Sequence, residues 1–146
     1  MNQSESFLKR HSLVGFDTNV LIAAIKKQSD HTASARGVFE VFARLKIEAV
    51  LSTVSVPEIM AKPLASGQLN IVASYEDRLF GGKFSFAEVT LSAAKRATSL
   101  RVRFGYKLID ALIVASLMEV GVTGFITADK AIKSTKELEV LALTAG

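Results

Sequence analysis

Short apolar runs alternate with stretches of helical periodicity along most of this chain, and that alternation limits the folds open to it more than any other feature. The pattern predicts strands over 13–16, 49–53, 84–89, 124–127 and 140–143. Between them it predicts helices over 19–27, 33–46, 71–80, 90–103 and 108–120, with a polar break at 28–32 and a short helix or turn at 129–136. Ala35, Val38, Phe39, Phe42 and Leu45 recur at three- and four-residue spacing, the stripe of an amphipathic helix. A further helix starts at Ser55, with Ser55 as N-cap, Pro57 in the first turn and Glu58 closing a capping box; Pro63 and Gly67 limit it. Strands alternating with helices predict an α/β fold whose mostly parallel sheet is covered on both faces.

At 146 residues the chain suits one domain. The expected folded unit is 13–146, preceded by a polar N-terminal extension at 1–12 that reads as frayed. With no cysteine, disulfides, thiolate zinc sites and cysteine nucleophiles are excluded. The two histidines, His11 and His31, lie in polar surroundings and give little material for a Ser-His-Asp triad or a histidine metal site. No apolar run reaches the roughly 18 residues of a membrane span, and the polar start lacks the apolar core of a secretory signal, so a cytoplasmic protein without membrane contact is expected.

Charge is placed where it costs most. Asp17 interrupts the apolar sequence from Val14 to Ala23 at the expected strand-to-helix break. A helix cap explains it as well as a site does, because an ionised Asp is costly to bury without donors or a cation. Asp110 shares a helix face with Ile113, Val114 and Leu117; a pair with Lys107 or the helix dipole is the competing explanation. Glu58 belongs to the capping box, and Asp129, just after the fourth strand, also suits a turn.

Parallel sheets bring the C-terminal ends of their strands to one edge, so Asp17 and Asp129 converge if the first and fourth strands are neighbours. Two carboxylates about 5 Å apart repel by roughly 3 kcal/mol at an effective dielectric near 20. A divalent cation reverses that sign. Oxygen-only ligands favour Mg²⁺ or Mn²⁺, and the chemistry implied is phosphodiester hydrolysis. Thr18, Asn19 and Thr127 stand beside the acids and suit orienting them, or else capping and turn duty.

Lys and Arg outnumber Asp and Glu by 18 to 14. If four acids gather in one site, the surplus on the remaining surface doubles, which suits a polyanion. Lys95, Arg96, Arg101, Arg103 and Lys107 follow one another without an acid and lead into the helix of Asp110. They are candidates for substrate phosphates, a solvated helix face being the alternative.

Together, Phe16 to Ile22, Ser52 to Ile59 with Pro57-Glu58, Leu108 to Ala115 and Phe125 to Lys130 resemble the PIN-domain nucleases, most closely the VapC-type toxins of toxin–antitoxin pairs. The resemblance implies a three-layer α/β/α sandwich with strand order 3-2-1-4-5 and a Mg²⁺- or Mn²⁺-dependent endoribonuclease. It assigns the acidic positions to Asp17, Glu58, Asp110 and Asp129, with Asp17 and Asp110 as direct ligands and the other two acting through water. It also implies a homodimer and a cognate antitoxin whose C-terminal segment covers the site. Many relatives carry a second acid and an aromatic after the last Asp, where this chain has Ala131 and Ile132. A haloacid-dehalogenase-type phosphatase fits less well, since it needs an Asp where Asn19 stands. The other alternative is a PIN-fold scaffold that binds RNA or regulates without catalysis.

Overall fold

The computed structural model describes residues 3–26 and 30–145. Five parallel strands, β1 (Leu13–Phe16), β2 (Glu48–Ser52), β3 (Phe84–Ala87), β4 (Gly124–Thr127) and β5 (Glu139–Ala142), form one sheet in the order β3-β2-β1-β4-β5. This is the expected order, with β1 and β4 paired side by side, Val14 opposite Gly124 and Phe16 opposite Ile126.

Alternation along the strands divides the core into two layers. Val14, Phe16, Ala49, Leu51, Ile126 and Leu141 face α1 (Gln3–Leu8), α2 (Thr18–Ile25) and α3 (Thr32–Arg44), with Ile59 of α4 (Ser55–Ala65) and Leu79 of α5 (Leu69–Phe80) joining them. Val50, Ala87 and Phe125 face the opposite way, against α6 (Leu91–Phe104) and α7 (Leu108–Glu119). From Ala111 to Leu117, α7 is buried nearly all round, and Gly15 leaves the room for it: a Cβ there would lie 2.6 Å from Leu117 Cδ1.

The polar start of the chain departs from the frayed extension expected of it. It forms α1, which seats Phe7 and Leu8 in the core at 1% and 0% exposure. Two apolar residues at the end of a polar helix were too few to register as a periodic signal, and they pack because Gly124 leaves room: a Cβ there would lie 2.9 Å from Phe7. His11 keeps polar partners, its ring held between Thr123 and Glu139, but its side chain is only 8% exposed.

Other differences are local. α4 passes through Pro63 and ends at Ala65, with Gly67 at a φ of 67° just beyond it. The 129–136 segment contains a turn and no helix. The third strand stops at Ala87 and the fifth begins one residue early, at Glu139. Lys27, the expected end of the first apolar helix, and positions 28–29 of the polar break lie outside the described residues. No described helix is long and apolar enough to cross a membrane.

Candidate active site

The site is built from the C-terminal edge of the sheet. Asp17 follows β1, and its backbone N–H still bonds the Ile126 carbonyl at 2.9 Å, which fixes it beside the end of β4. Its carboxylate is buried, with Oδ1 accepting from the Thr18 N–H at 2.9 Å and Oδ2 from the Thr127 hydroxyl at 2.7 Å. Asp17 is also the N-cap of α2, so cap and site are one residue rather than rival explanations.

Thr127 links two of the acids. Its Oγ1 donates to Asp17 and accepts from the Asp129 N–H at 3.0 Å. Asn19 Oδ1 accepts from the Ala128 N–H at 3.1 Å, a second tie between the exits of β1 and β4. Asp129 closes its own turn through Oδ1, which accepts from the Ala131 N–H at 2.9 Å, and it is half-buried.

Glu58 is held differently from the expected capping box. Ser55 is the first residue of α4 and not its N-cap, the preceding Val54 has helical dihedrals, and no side chain caps the helix. Thr18 Oγ1 donates to Glu58 Oε1 at 2.6 Å and lies 2.8 Å from Ser55 Oγ. Thr18 has one hydroxyl proton, so Ser55 is the donor in the second bond. A hydroxyl on α2 thus takes both members of the presumed box and anchors Glu58 toward the end of β1.

Asp110 occupies the first turn of α7, half-buried, and no hydrogen bond from the described residues reaches its carboxylate. Lys107, one turn earlier, is exposed and eases its charge from a distance. The buried Lys107–Asp110 pair considered from sequence is not what forms.

The four acids are electrostatically joined. Burial pushes the Asp17 carboxyl up to about 6, helped by the charges of Asp110 and Glu58 and opposed by the bonds from Thr127 and Thr18. Burial also raises Asp110, with Asp129 and Glu58 adding to the rise and Lys107 opposing it. The set is graded in depth, from buried Asp17 through half-buried Asp110 and Asp129 to exposed Glu58. As the side chains stand, no three of the described His, Asp or Glu residues close to ion-holding distance. The donor chemistry nevertheless suits a hard divalent ion, because all four are oxygen donors, and the charges of the others bear on Asp17 and Asp110 with Lys107 opposing them at Asp110.

The basic residues are divided between two settings. Arg96 pairs with Glu119 at 3.2 Å and Glu137 at 3.4 Å, a cross-link away from the four acids. It lines a cleft of about 390 Å³ along α6, together with Lys95, Arg103 and Lys136, that contains none of the site acids. Arg101, Arg103 and Lys107 are exposed, and the Arg103 guanidinium lies 5.2 Å from the centre of the Phe104 ring.

Two supporting contacts had no clear sequence signal. Ser55 is legible only as a cap. Ser116 looks like a stray polar residue in an apolar helix, yet its Oγ is buried 2.9 Å from Ser52 Oγ and 2.8 Å from the Ile113 carbonyl, fastening α7 to the end of β2.

The PIN domain model matches residues 15–138. The fold is similar to that of VapBC2 from Rickettsia felis, solved bound to a DNA fragment from its promoter, with a TM-score of 0.71, 16% identity, and coverage of 90% of this chain and 99% of that one. It is also similar to a toxin–antitoxin complex from Klebsiella pneumoniae, with a TM-score of 0.68, 20% identity, and coverage of 88% and 96%. For VapC20 of Mycobacterium tuberculosis, a toxin that cleaves the sarcin–ricin loop, the TM-score is 0.61 at 15% identity, covering 77% of this chain and 86% of that one. A search of curated proteins by sequence returns no match. The sheet order, the acids at its C-terminal edge and a family match over most of the length lead to one assignment: this chain belongs to the PIN domain family.

Proposed function

We propose that the protein is a Mg²⁺- or Mn²⁺-dependent endoribonuclease and the toxin of a toxin–antitoxin pair, working in the cytoplasm as a homodimer. The observation that carries this reading is that Asp17 and Asp110, both raised first by burial, stand at one end of the sheet under further acidic charge, Asp17 from Asp110 and Glu58, Asp110 from Asp129 and Glu58. A fold gains nothing from burying like charges together unless a ligand of opposite sign is to be bound there.

Asp17 and Asp110 would hold the ion directly, with Asp129 and Glu58 orienting its waters. When bound, the ion supplies neutralisation of phosphoryl charge and acidification of water. The chain's own contribution is orientation. Thr127 and the Thr18 backbone fix the plane of the Asp17 carboxylate, and Thr18 fixes Glu58. Free Glu58 and Asp129 oxygens then accept protons from an incoming water, and exposed Arg101, Arg103 and Lys107 meet RNA phosphates on the approach. Leu108 and Ile109 are 51% and 42% exposed beside Asp110, apolar surface that supports an antitoxin segment lying over the site.

Labelled single-stranded RNA should be cut in the presence of Mg²⁺ or Mn²⁺, and EDTA should stop it. D17N or D110N should lower the rate by at least about a hundredfold in folded protein. The open arrangement of the four acids favours the scaffold alternative. Folded wild type that binds RNA tightly and leaves every RNA intact with either ion would decide for it.

A further inference from the structure

Tyr106 lies between Gly105, whose left-handed backbone ends α6, and Lys107, the N-cap of α7. The ring is 8% exposed, 5.9 Å from that of Phe104, and shares the α6–α7 core with Ala111. Its place just before the cap, packed with the fourth helical residue, is that of a hydrophobic staple and accounts for the ring.

Packing does not account for the hydroxyl. Tyr106 Oη is buried and has no hydrogen-bond partner among the described residues. An interior hydroxyl without an acceptor is destabilising, and phenylalanine would pack there without that cost. The charge acting on this hydroxyl is that of Asp110. Asp110 in turn receives no hydrogen bond from the described residues, unlike Asp17, Glu58 and Asp129, each of which has a donor. An unpaired donor and an unpaired acceptor therefore flank the first turn of one helix.

We propose that Tyr106 is a positioning residue for Asp110, its hydroxyl donating to one carboxylate oxygen as that side chain turns into the acidic site and leaving the other oxygen free for a divalent ion. Tyr106 would do for Asp110 what Thr127 does for Asp17. It acts through Asp110 and touches no reacting atom. The inference rests on the reading of the four acids as an ion site, but not on RNA being the substrate.

The test compares wild type with Y106F by calorimetric titration of Mn²⁺, thermal melting with and without Mn²⁺, and RNA cleavage across Mn²⁺ concentrations. Y106F should melt at or above the wild-type temperature without the ion and bind Mn²⁺ about tenfold more weakly. Its cleavage should fall at limiting Mn²⁺ and recover at high Mn²⁺, a change in the half-saturating concentration more than in the maximal rate. Equal Mn²⁺ affinities in the two proteins would overturn the inference. So would a Y106F protein that unfolds or melts well below wild type without the ion, since the hydroxyl would then be structural. Wild type that binds Mn²⁺ in a Tyr106-dependent way but cuts no RNA would sink the nuclease reading alone, and wild type that binds no Mn²⁺ would sink both.

Discussion

The two edges of the sheet treat carboxylates in opposite ways. At the N-terminal edge, Glu139 opens β5 between Arg10, whose Nε and Nη2 reach it at 3.1 and 2.6 Å, and His11, whose Nε2 lies 2.7 Å away. Those partners hold its carboxyl below the usual range. At the C-terminal edge, Asp17 and Asp110 sit with other acids and are raised. One edge is chemically satisfied and joins α1 to the sheet. The other holds strain that a ligand would relieve, which is where a functional site is expected.

The sharpest way to break this contrast is to neutralise the deepest acid. D17N should abolish cleavage yet raise the melting temperature of the ion-free protein, because repulsion and the burial of charge disappear together. A rise from 3.8 to about 6 corresponds to about 3 kcal/mol of penalty at neutral pH, an upper bound on the gain since the Thr127 bond is altered too. The same variant should lose any rise in melting temperature caused by Mn²⁺. Should D17N melt well below wild type, the C-terminal edge would be as structural as the N-terminal one.

Acidity separates the edges without mutation. Asp17 is raised, so its penalty is complete above pH 6 and fades as pH falls, because the folded state takes up a proton the unfolded state does not yet bind. Glu139 is lowered, so its contribution is present above the ordinary glutamate range and is lost only as pH falls through its lower folded value. Ion-free protein should therefore gain stability from pH 7 to about pH 5 and lose it below about pH 4, with D17N flattening the first limb and E139Q the second. Chemical denaturation at stepped pH measures both limbs. With saturating Mn²⁺ the upper limb should reverse, since an ion needs the deprotonated acids.

Much of this edge was legible before any coordinates. Strand and helix periods placed β1 and β4 to the residue, with an acid after each that would converge only if the two strands were neighbours. The family resemblance supplied the order of strands, which periodicity alone does not contain. Glu58 shows where local reading stops: Ser55-x-x-Glu58 satisfies the capping-box pattern, and only the third dimension reveals that Thr18, 37 residues from Ser55, takes both side chains. The N-terminal edge was illegible for the same reason. Arg10, His11 and Glu139 are separated by almost the whole chain, and nothing in a polar leader announces that Phe7 will find space above Gly124.

T18V sharpens the comparison at the level of one hydroxyl. Valine keeps the β-branched shape and leaves the backbone N–H that serves Asp17, but frees Glu58 and leaves the buried Ser55 hydroxyl without its acceptor. Cleavage should fall about tenfold, with Mn²⁺ affinity following it. A Thr18→Ser variant should restore both. Failure of serine to restore them would mean that the methyl packing of Thr18 matters and its hydrogen bonds do not.

The smallest effect belongs to the satisfied edge. E139Q removes the charge that Arg10 and His11 share but keeps an acceptor near both, and the pair is partly exposed, so screening keeps its value low. The melting temperature should fall by roughly 2–4 °C at neutral pH, and less in high salt. Cleavage at saturating Mn²⁺ should not change, because Glu139 stands at the opposite end of β5 from the acids. That pairing of outcomes, a stability loss without a rate loss from E139Q against a rate loss without a stability loss from D17N, is what two edges with separate duties require; a cleavage defect in E139Q would instead tie α1 docking to the geometry of the site through β4.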